Sequence, residues 1–268
     1  MNNSSNLRFS FGRNWQNYAK TLSEEQIHAA MDSLCLSLRI KDLSNQRILD
    51  AGCGSGLFSL AACRLGAREV IAFDYDLNSV SCAKDLNQRF GPYPNWKITQ
   101  GDVLDLTFLN TLGVFDIVYS WGVLHHTGNM WQALENVCSL VKPGGSLFIS
   151  IYNDQGLISR VWRMIKKSYV RSPRIIQYVM ALVWYMVIAI VRIFTCISNR
   201  KPMHDWFKGS ERGMNLWHDV VDWIGGYPFE TASIEALKTF FESRGFSLIN
   251  ARVKTGSGCN ELILRRTI

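Results

Sequence analysis

Proline is scarce in this chain, with 6 in 268 residues, and charged side chains make up 19% against 47% hydrophobic ones. That balance excludes intrinsic disorder, collagen-like repeats and low-complexity tails. The seven cysteines (35, 53, 63, 82, 138, 196 and 259) never form a C-x-x-C pair. A disulfide framework and a cysteine zinc site are thereby excluded; no metal is expected, and a reducing compartment is. The opening MNNSSNLRFSFGRNWQ has no apolar core behind a basic patch, so no signal peptide is expected and the chain is assigned to the cytoplasm. Acidic residues are missing from one long stretch. Between Leu157 and Arg212 there are eleven basic residues and only Asp205 and Glu211 against them, a local charge of +9 in a chain whose net charge is +7. A segment of this kind predicts an anionic partner, whether a phosphorylated substrate, a membrane surface or nucleic acid.

The length suits one large domain, or one domain with an insertion. Ser23 with Gln26 reads as a capping box opening a helix through about Arg39. Strands are expected at 47–51, 69–73, 96–99, 115–120 and 147–152, with helices at 58–65, 79–90 and 131–141 between them. Lys142-Pro143-Gly144-Gly145 reads as a turn before the fifth strand. Strands alternating with helices of this length predict βαβ units and a parallel sheet covered on both faces. A helix at 233–244 and two antiparallel strands, 246–253 and 261–265, complete the chain.

The chemistry is concentrated in Leu49-Asp50-Ala51-Gly52-Cys53-Gly54-Ser55-Gly56, which leaves a buried strand and enters a helix. In a doubly wound fold the ligand sits beyond the carboxyl ends of the strands, and glycines in this first turn let the backbone approach it. The spacing is G-x-G-x-G; a dinucleotide turn would carry its third glycine at 57, where Leu57 stands, which argues against NAD. Asp74 closes the second strand, where a carboxylate can accept from both hydroxyls of a ribose. Tyr75 follows it and suits one face of a purine. Asp102, after the third strand, can accept from an exocyclic amine.

These blocks, with FDIVYSWGVLHH and LVKPGGSLFIS, resemble the core of the class I S-adenosylmethionine-dependent methyltransferases over residues 47 to 153. The resemblance implies a Rossmann-like, seven-stranded α/β sheet with its last strand antiparallel, and S-adenosylmethionine as cofactor. It implies that Asp50, Gly52, Gly54 and Gly56 flank the methionine part, and that Asp74 holds the ribose. Tyr75, Asp102 and Val103 would frame the adenine, and Ser120 and Trp121 would approach the sulfonium. The expected organisation is an N-terminal helical arm over 1–46, a core of 47–153 and 229–268, and a basic, apolar-rich helical insertion over 154–228. Trp15 and Tyr18 in the arm are expected to cover the cofactor.

Methyl transfer needs a base only when the acceptor must lose a proton. His125 and His126, after the fourth strand, suit that role or the ordering of their loop. A second group, Gly213–Asp219 followed by Asp222, Trp223 and Tyr227–Glu230, is expected either to line an acceptor pocket, with His218 and Asp219 as catalytic candidates, or to pack as an aromatic lid. Adjacent in a helix, His218 and Asp219 would point about 100° apart and form no dyad.

Within the insertion, Leu157, Ile158, Val161, Trp162, Ile165 and Tyr169 share one helical face, and Arg160, Arg163, Lys166 and Lys167 crowd another, the pattern of a membrane-surface helix. Residues 175–197 then read as an apolar helix. Its uncharged stretch from Ile175 to Val191 is 17 residues, short of the roughly 20 needed to span. A buried lid, a dimer contact and a membrane-docking helix stay open for it. The acceptor is expected to be a small molecule, or one carried on a lipid or sugar, methylated at oxygen. RNA methylation through the basic segment and a regulatory subunit that binds the cofactor without turnover are the alternatives. A peripheral position at the cytoplasmic membrane face and a homodimer follow from the insertion as further expectations.

Overall fold

The computed structural model describes residues 8–198 and 216–267. Its elements run α1 (Gly12–Lys20), α2 (Glu24–Leu38), β1 (Arg47–Ala51), α3 (Leu57–Arg64), β2 (Glu69–Asp74), α4 (Leu77–Phe90), β3 (Trp96–Gln100), α5 (Leu106–Asn110) and β4 (Phe115–Trp121). A single 3-10 turn at Leu124–His126 leads into α6 (Met130–Ser139), β5 (Val141–Tyr152), α7 (Leu157–Arg171) and α8 (Arg174–Ser198). The chain closes with α9 (Leu216–Gly225), α10 (Ile234–Glu242), β6 (Phe246–Arg252) and β7 (Cys259–Arg266).

The seven strands form one sheet in the order β3-β2-β1-β4-β5-β7-β6. The first five are mutually parallel, and β7 runs antiparallel to β5 and β6. This is the doubly wound architecture that the alternating pattern predicts. Leu49, Val118 and Ile149 pack on one face of the sheet with Leu134 of α6 and Phe241 of α10, and Tyr119, Phe148 and Ile263 pack on the other with Ala30 and Ala61 of α2 and α3. Four of the five residues of β1 are buried, as a strand covered on both faces must be.

Local signals hold the helix ends. Ser23 and Gln26 form the capping box of α2, and Asp76, Asp105 and Ser233 cap α4, α5 and α10 through their side chains. The turn expected at Lys142–Gly145 is instead an irregularity within β5. Val141 already pairs with Phe115, and the register then jumps so that Ser146 faces Ile117. A Gly-Gly pair in an otherwise extended run accommodates this without ending the strand.

The chain divides into two compact units. One comprises Ser10–Ser159 with Glu230–Ile268 and contains the whole sheet; the other contains Phe9 and Arg160–Phe229. In the smaller unit, Tyr169, Ala181 and Ile224 form a buried apolar cluster with Phe9, Ile165 and Trp184 against it. The polarity of α7 departs from the expected two-faced pattern. Lys166, placed on the outer face by helical periodicity, is fully buried, whereas Leu157, Ile158, Val161 and Met164 are exposed. Its ammonium lies 4.4 Å from the ring centre of Trp223 and 4.8 Å from that of Phe229, and it donates to the carbonyl of Trp223. A cation held over aromatic faces and satisfied by a carbonyl can be buried, and periodicity alone does not reveal such a cage.

Candidate active site

The turn after β1 is shaped by its glycines. Gly52, Gly54 and Gly56 have φ of 82°, 54° and 83°, the left-handed region that side chains resist. The N–H groups of Gly52 and Cys53 both donate to the Phe73 carbonyl on β2, at 2.8 and 3.0 Å, so the turn curls over the end of the neighbouring strand. Close approach is as important as conformation. A Cβ at Gly52 would lie 2.3 Å from Val123, and one at Gly54 would lie 3.2 Å from the indole of Trp15. Trp15 therefore lies over the glycine turn. Its helix is fastened to α4: the Ser10 hydroxyl and Gly12 N–H donate to Asp76, and Arg89 donates to the carbonyls of Ala19 and Leu22.

Asp74 ends β2 beside this turn. Its carboxylate accepts from Gly54 N–H at 2.9 Å and from Asp76 N–H at 2.8 Å. Burial pushes its pKa up to about 6, against the pull of those two donors. Tyr75, next along the chain, is half-exposed. The carboxylate of Asp102 accepts from Leu104 N–H at 2.9 Å and shapes the turn after β3. Asp74, Tyr75, Asp102 and the three glycines thus stand at the carboxyl ends of β1, β2 and β3, where a doubly wound sheet binds its ligand.

Four of the residues expected around the cofactor have other engagements. Asp50 is buried and bonds the Ser59 hydroxyl of α3 at 2.5 Å; burial pushes its pKa up to about 7. Its side chain thus braces strand against helix. Val103 is buried in the core with residues of α6. The Ser120 hydroxyl is buried and donates to the Ala51 carbonyl at 2.8 Å, tying β4 to β1. Trp121 directs its indole N–H to Glu261 of β7 at 3.1 Å. Glu261, 140 residues away in sequence, escaped the sequence reading because nothing local connects it to β4.

The two histidines separate by environment. His125 is buried, its ring 4.1 Å from Tyr152 and 4.4 Å from His126. His126 is half-buried, with Phe11 of the N-terminal arm at 5.0 Å and Tyr152 at 5.5 Å. Glu230 sets the loop that carries them. Its N–H donates to the His125 carbonyl at 3.0 Å, and its carboxylate accepts from Gly128 N–H at 3.0 Å and Met130 N–H at 3.1 Å. Asn129, the residue before α6, makes no side-chain cap, so Glu230 supplies it from a distance. Replacing Glu230 by alanine removes charge-assisted bonds at this helix start and is expected to cost about 1–2 kcal/mol. A thermal unfolding midpoint equal to that of the unaltered protein would overturn that role.

His218 and Asp219 fall on α9, in the smaller unit, and their side chains lie outside the described residues. Residues 213–215, expected with them, also lie outside. No cluster of three or more His, Cys, Asp or Glu side chains able to hold a metal occurs among the described residues.

The glycine turn and Asp74 fall within the stretch that is similar to known proteins. Residues 49–149 match the family described as a methyltransferase domain. Over those residues the chain is similar to a methyltransferase domain. Its relatives name different acceptors. The mitochondrial ubiquinone biosynthesis O-methyltransferase of Dictyostelium discoideum is 30% identical over 143 residues, 51% of this chain and 40% of that protein. The ribosomal protein L11 methyltransferase of Vibrio campbellii is 30% identical over 125 residues, 44% of this chain and 38% of that protein. The chain therefore spans about 40% of the length of these curated relatives. Among solved structures, magnesium protoporphyrin IX methyltransferase from Synechocystis PCC 6803 with bound SAH aligns over 90% of this chain and 82% of its own, with a TM-score of 0.52 and 16% identity. That likeness is one of fold.

Proposed function

We propose that the chain binds S-adenosylmethionine at the glycine turn and transfers its methyl group to an oxygen of a small or lipid-carried acceptor. The observation that carries this reading is the join between Asp74 and the turn. One carboxylate fixes Gly54 and stands at the strand end where a ribose would present two hydroxyls. The residues fit the cofactor. Gly54 lets Trp15 lie against the turn, where a Cβ would come 3.2 Å from the indole, and half-exposed Tyr75 offers an aromatic face beside the carboxylate. When bound, the cofactor supplies an electrophilic methyl on a sulfonium.

The chain's own residues align the reactants and keep water out. Trp15 and the arm cover the turn, and Glu230 holds the loop that carries His126. Of the two histidines, His126 is the better placed to take a proton from an acceptor hydroxyl, since His125 is enclosed by Tyr152 and its neighbour. A neutral imidazole near physiological pH suits that step. Oxygen as the methylated atom is supported by the O-methyltransferase named among the relatives.

The test supplies cofactor with a labelled methyl group to a fractionated extract of the source cells, with the Gly54→Val protein as control. Label is expected in the organic-soluble or small-molecule fraction, in base-stable, ether-like products, and absent from the control. Label confined to RNA or to protein would overturn the reading.

A further inference from the structure

Helix α8 is the most apolar element of the chain, with a mean hydropathy of 2.0 over Arg174–Thr195, yet only 6% of that window is buried. One side, with Ala181 and Trp184, joins the cluster around Tyr169 and Ile224. The remaining surface runs from Tyr178 through Ile175, Met186 and Val183 to Val191, all exposed. At 100° per residue that is roughly 220° of helix circumference. A second helix buries a much narrower seam, so an arc this wide suits a fluid apolar medium better than one rigid partner.

Charge narrows the choice further. From Leu157 to Ser198 there is no Asp or Glu, and Arg160 and Arg163 of α7 and Arg171 and Arg174 at the α7–α8 junction are exposed. Two copies meeting through α8 would bring these like charges together. Nucleic acid would satisfy the arginines but leave the apolar arc in water. An anionic bilayer satisfies both, with arginines at the phosphate level and the arc among the acyl chains. Crossing the bilayer is disfavoured by α9, which packs on α8 and carries Asp222. A helix surrounded by hydrocarbon would draw that carboxylate in with it.

We propose that the exposed arc of α8 is a docking surface for an anionic lipid membrane, on which the helix lies in the interface. This inference is independent of the acceptor and of the methyl-transfer reading. The test floats the full chain with vesicles of phosphatidylcholine alone or mixed with phosphatidylglycerol. Each basic residue near an anionic surface is worth roughly fivefold in partitioning, so the mixed vesicles should bind at least about tenfold more tightly, and salt should reverse the difference. The double variant Val183→Asp, Met186→Asp alters two exposed positions and should lose on the order of tenfold or more in vesicle binding. Its thermal unfolding and cofactor binding should match the parent. Equal binding to neutral and anionic vesicles, binding that resists salt and carbonate, or unchanged binding of the double variant would overturn the proposal. So would a salt-resistant dimer in which α8 is protected from labelling, or retention by RNA in place of vesicles.

Discussion

Replacing Asp74 by alanine is expected to weaken S-adenosylmethionine binding by about 100- to 1,000-fold, since bonds from two hydroxyls to a carboxylate contribute roughly 1.5–3 kcal/mol each, partly offset by water. The same change frees Gly54 N–H from its acceptor, so the turn loses its anchor along with the ligand. The pH dependence separates this role from a merely structural one. Burial holds the pKa of Asp74 at about 6 in the free protein, and only the ionised form accepts from both hydroxyls. Affinity should therefore rise with pH, by up to about tenfold per unit, and level off above pH 6. Folding stability has the opposite sign. A carboxyl whose pKa is raised by folding contributes most below its unfolded value, and that contribution is lost as pH climbs through about 6. Asp74→Asn should thus flatten both the binding profile and the pH dependence of stability, while leaving one of the two backbone donors, Gly54 or Asp76 N–H, without its acceptor. Calorimetric titration across the range, for both proteins, checks the pair. An Asn variant with parental affinity and a parental pH slope would remove Asp74 from the site.

The second large effect belongs to Gly56→Val, which should destabilise the fold by about 3–5 kcal/mol through a left-handed conformation forced on a β-branched residue and overlap in a packed interior. Its φ is 83°, and a Cβ there would come 2.8 Å from the Ala83 Cβ, 3.0 Å from the Ala83 Cα and 3.1 Å from the Trp96 ring. The obstacle includes helix backbone, so α3 and α4 would have to part. Gly54 shares the left-handed φ, at 54°, but the atoms nearest its Cβ belong to the Trp15 side chain, which can swing aside. Valine at 54 should accordingly strike binding harder than folding, and valine at 56 the reverse. Denaturant midpoints and cofactor affinities measured on both variants decide this. A Gly56→Val protein with a parental midpoint would show that the turn relaxes without α4.

The framework was legible because its signals are local. A capping box at Ser23, an apolar β1 running into three glycines, and carboxylates at the ends of β2 and β3 each occupy a few consecutive residues. What escaped depends on partners far along the chain. Glu230 caps α6 from 100 residues away, and the only local trace was a helix start, Gly128-Asn129-Met130, whose Asn makes no cap. Glu261 reaches Trp121 only because β7 returns antiparallel beside β5. Lys166 turned inward against helical periodicity because aromatic rings from α9 and its following loop assemble around it. Asp50 and Ser120 stand in the expected order in the sequence, but side-chain alternation along a strand decides which face each serves.

Cys53, between two glycines of the turn, has a further consequence. A thiolate is a strong nucleophile, and one beside an activated methyl would compete with any acceptor. Here burial first, and then the charges of Asp50 and Asp74, push the Cys53 thiol well above its usual range, so it stays protonated. Burial of the turn, more than either carboxylate, is what holds this thiol in its unreactive form.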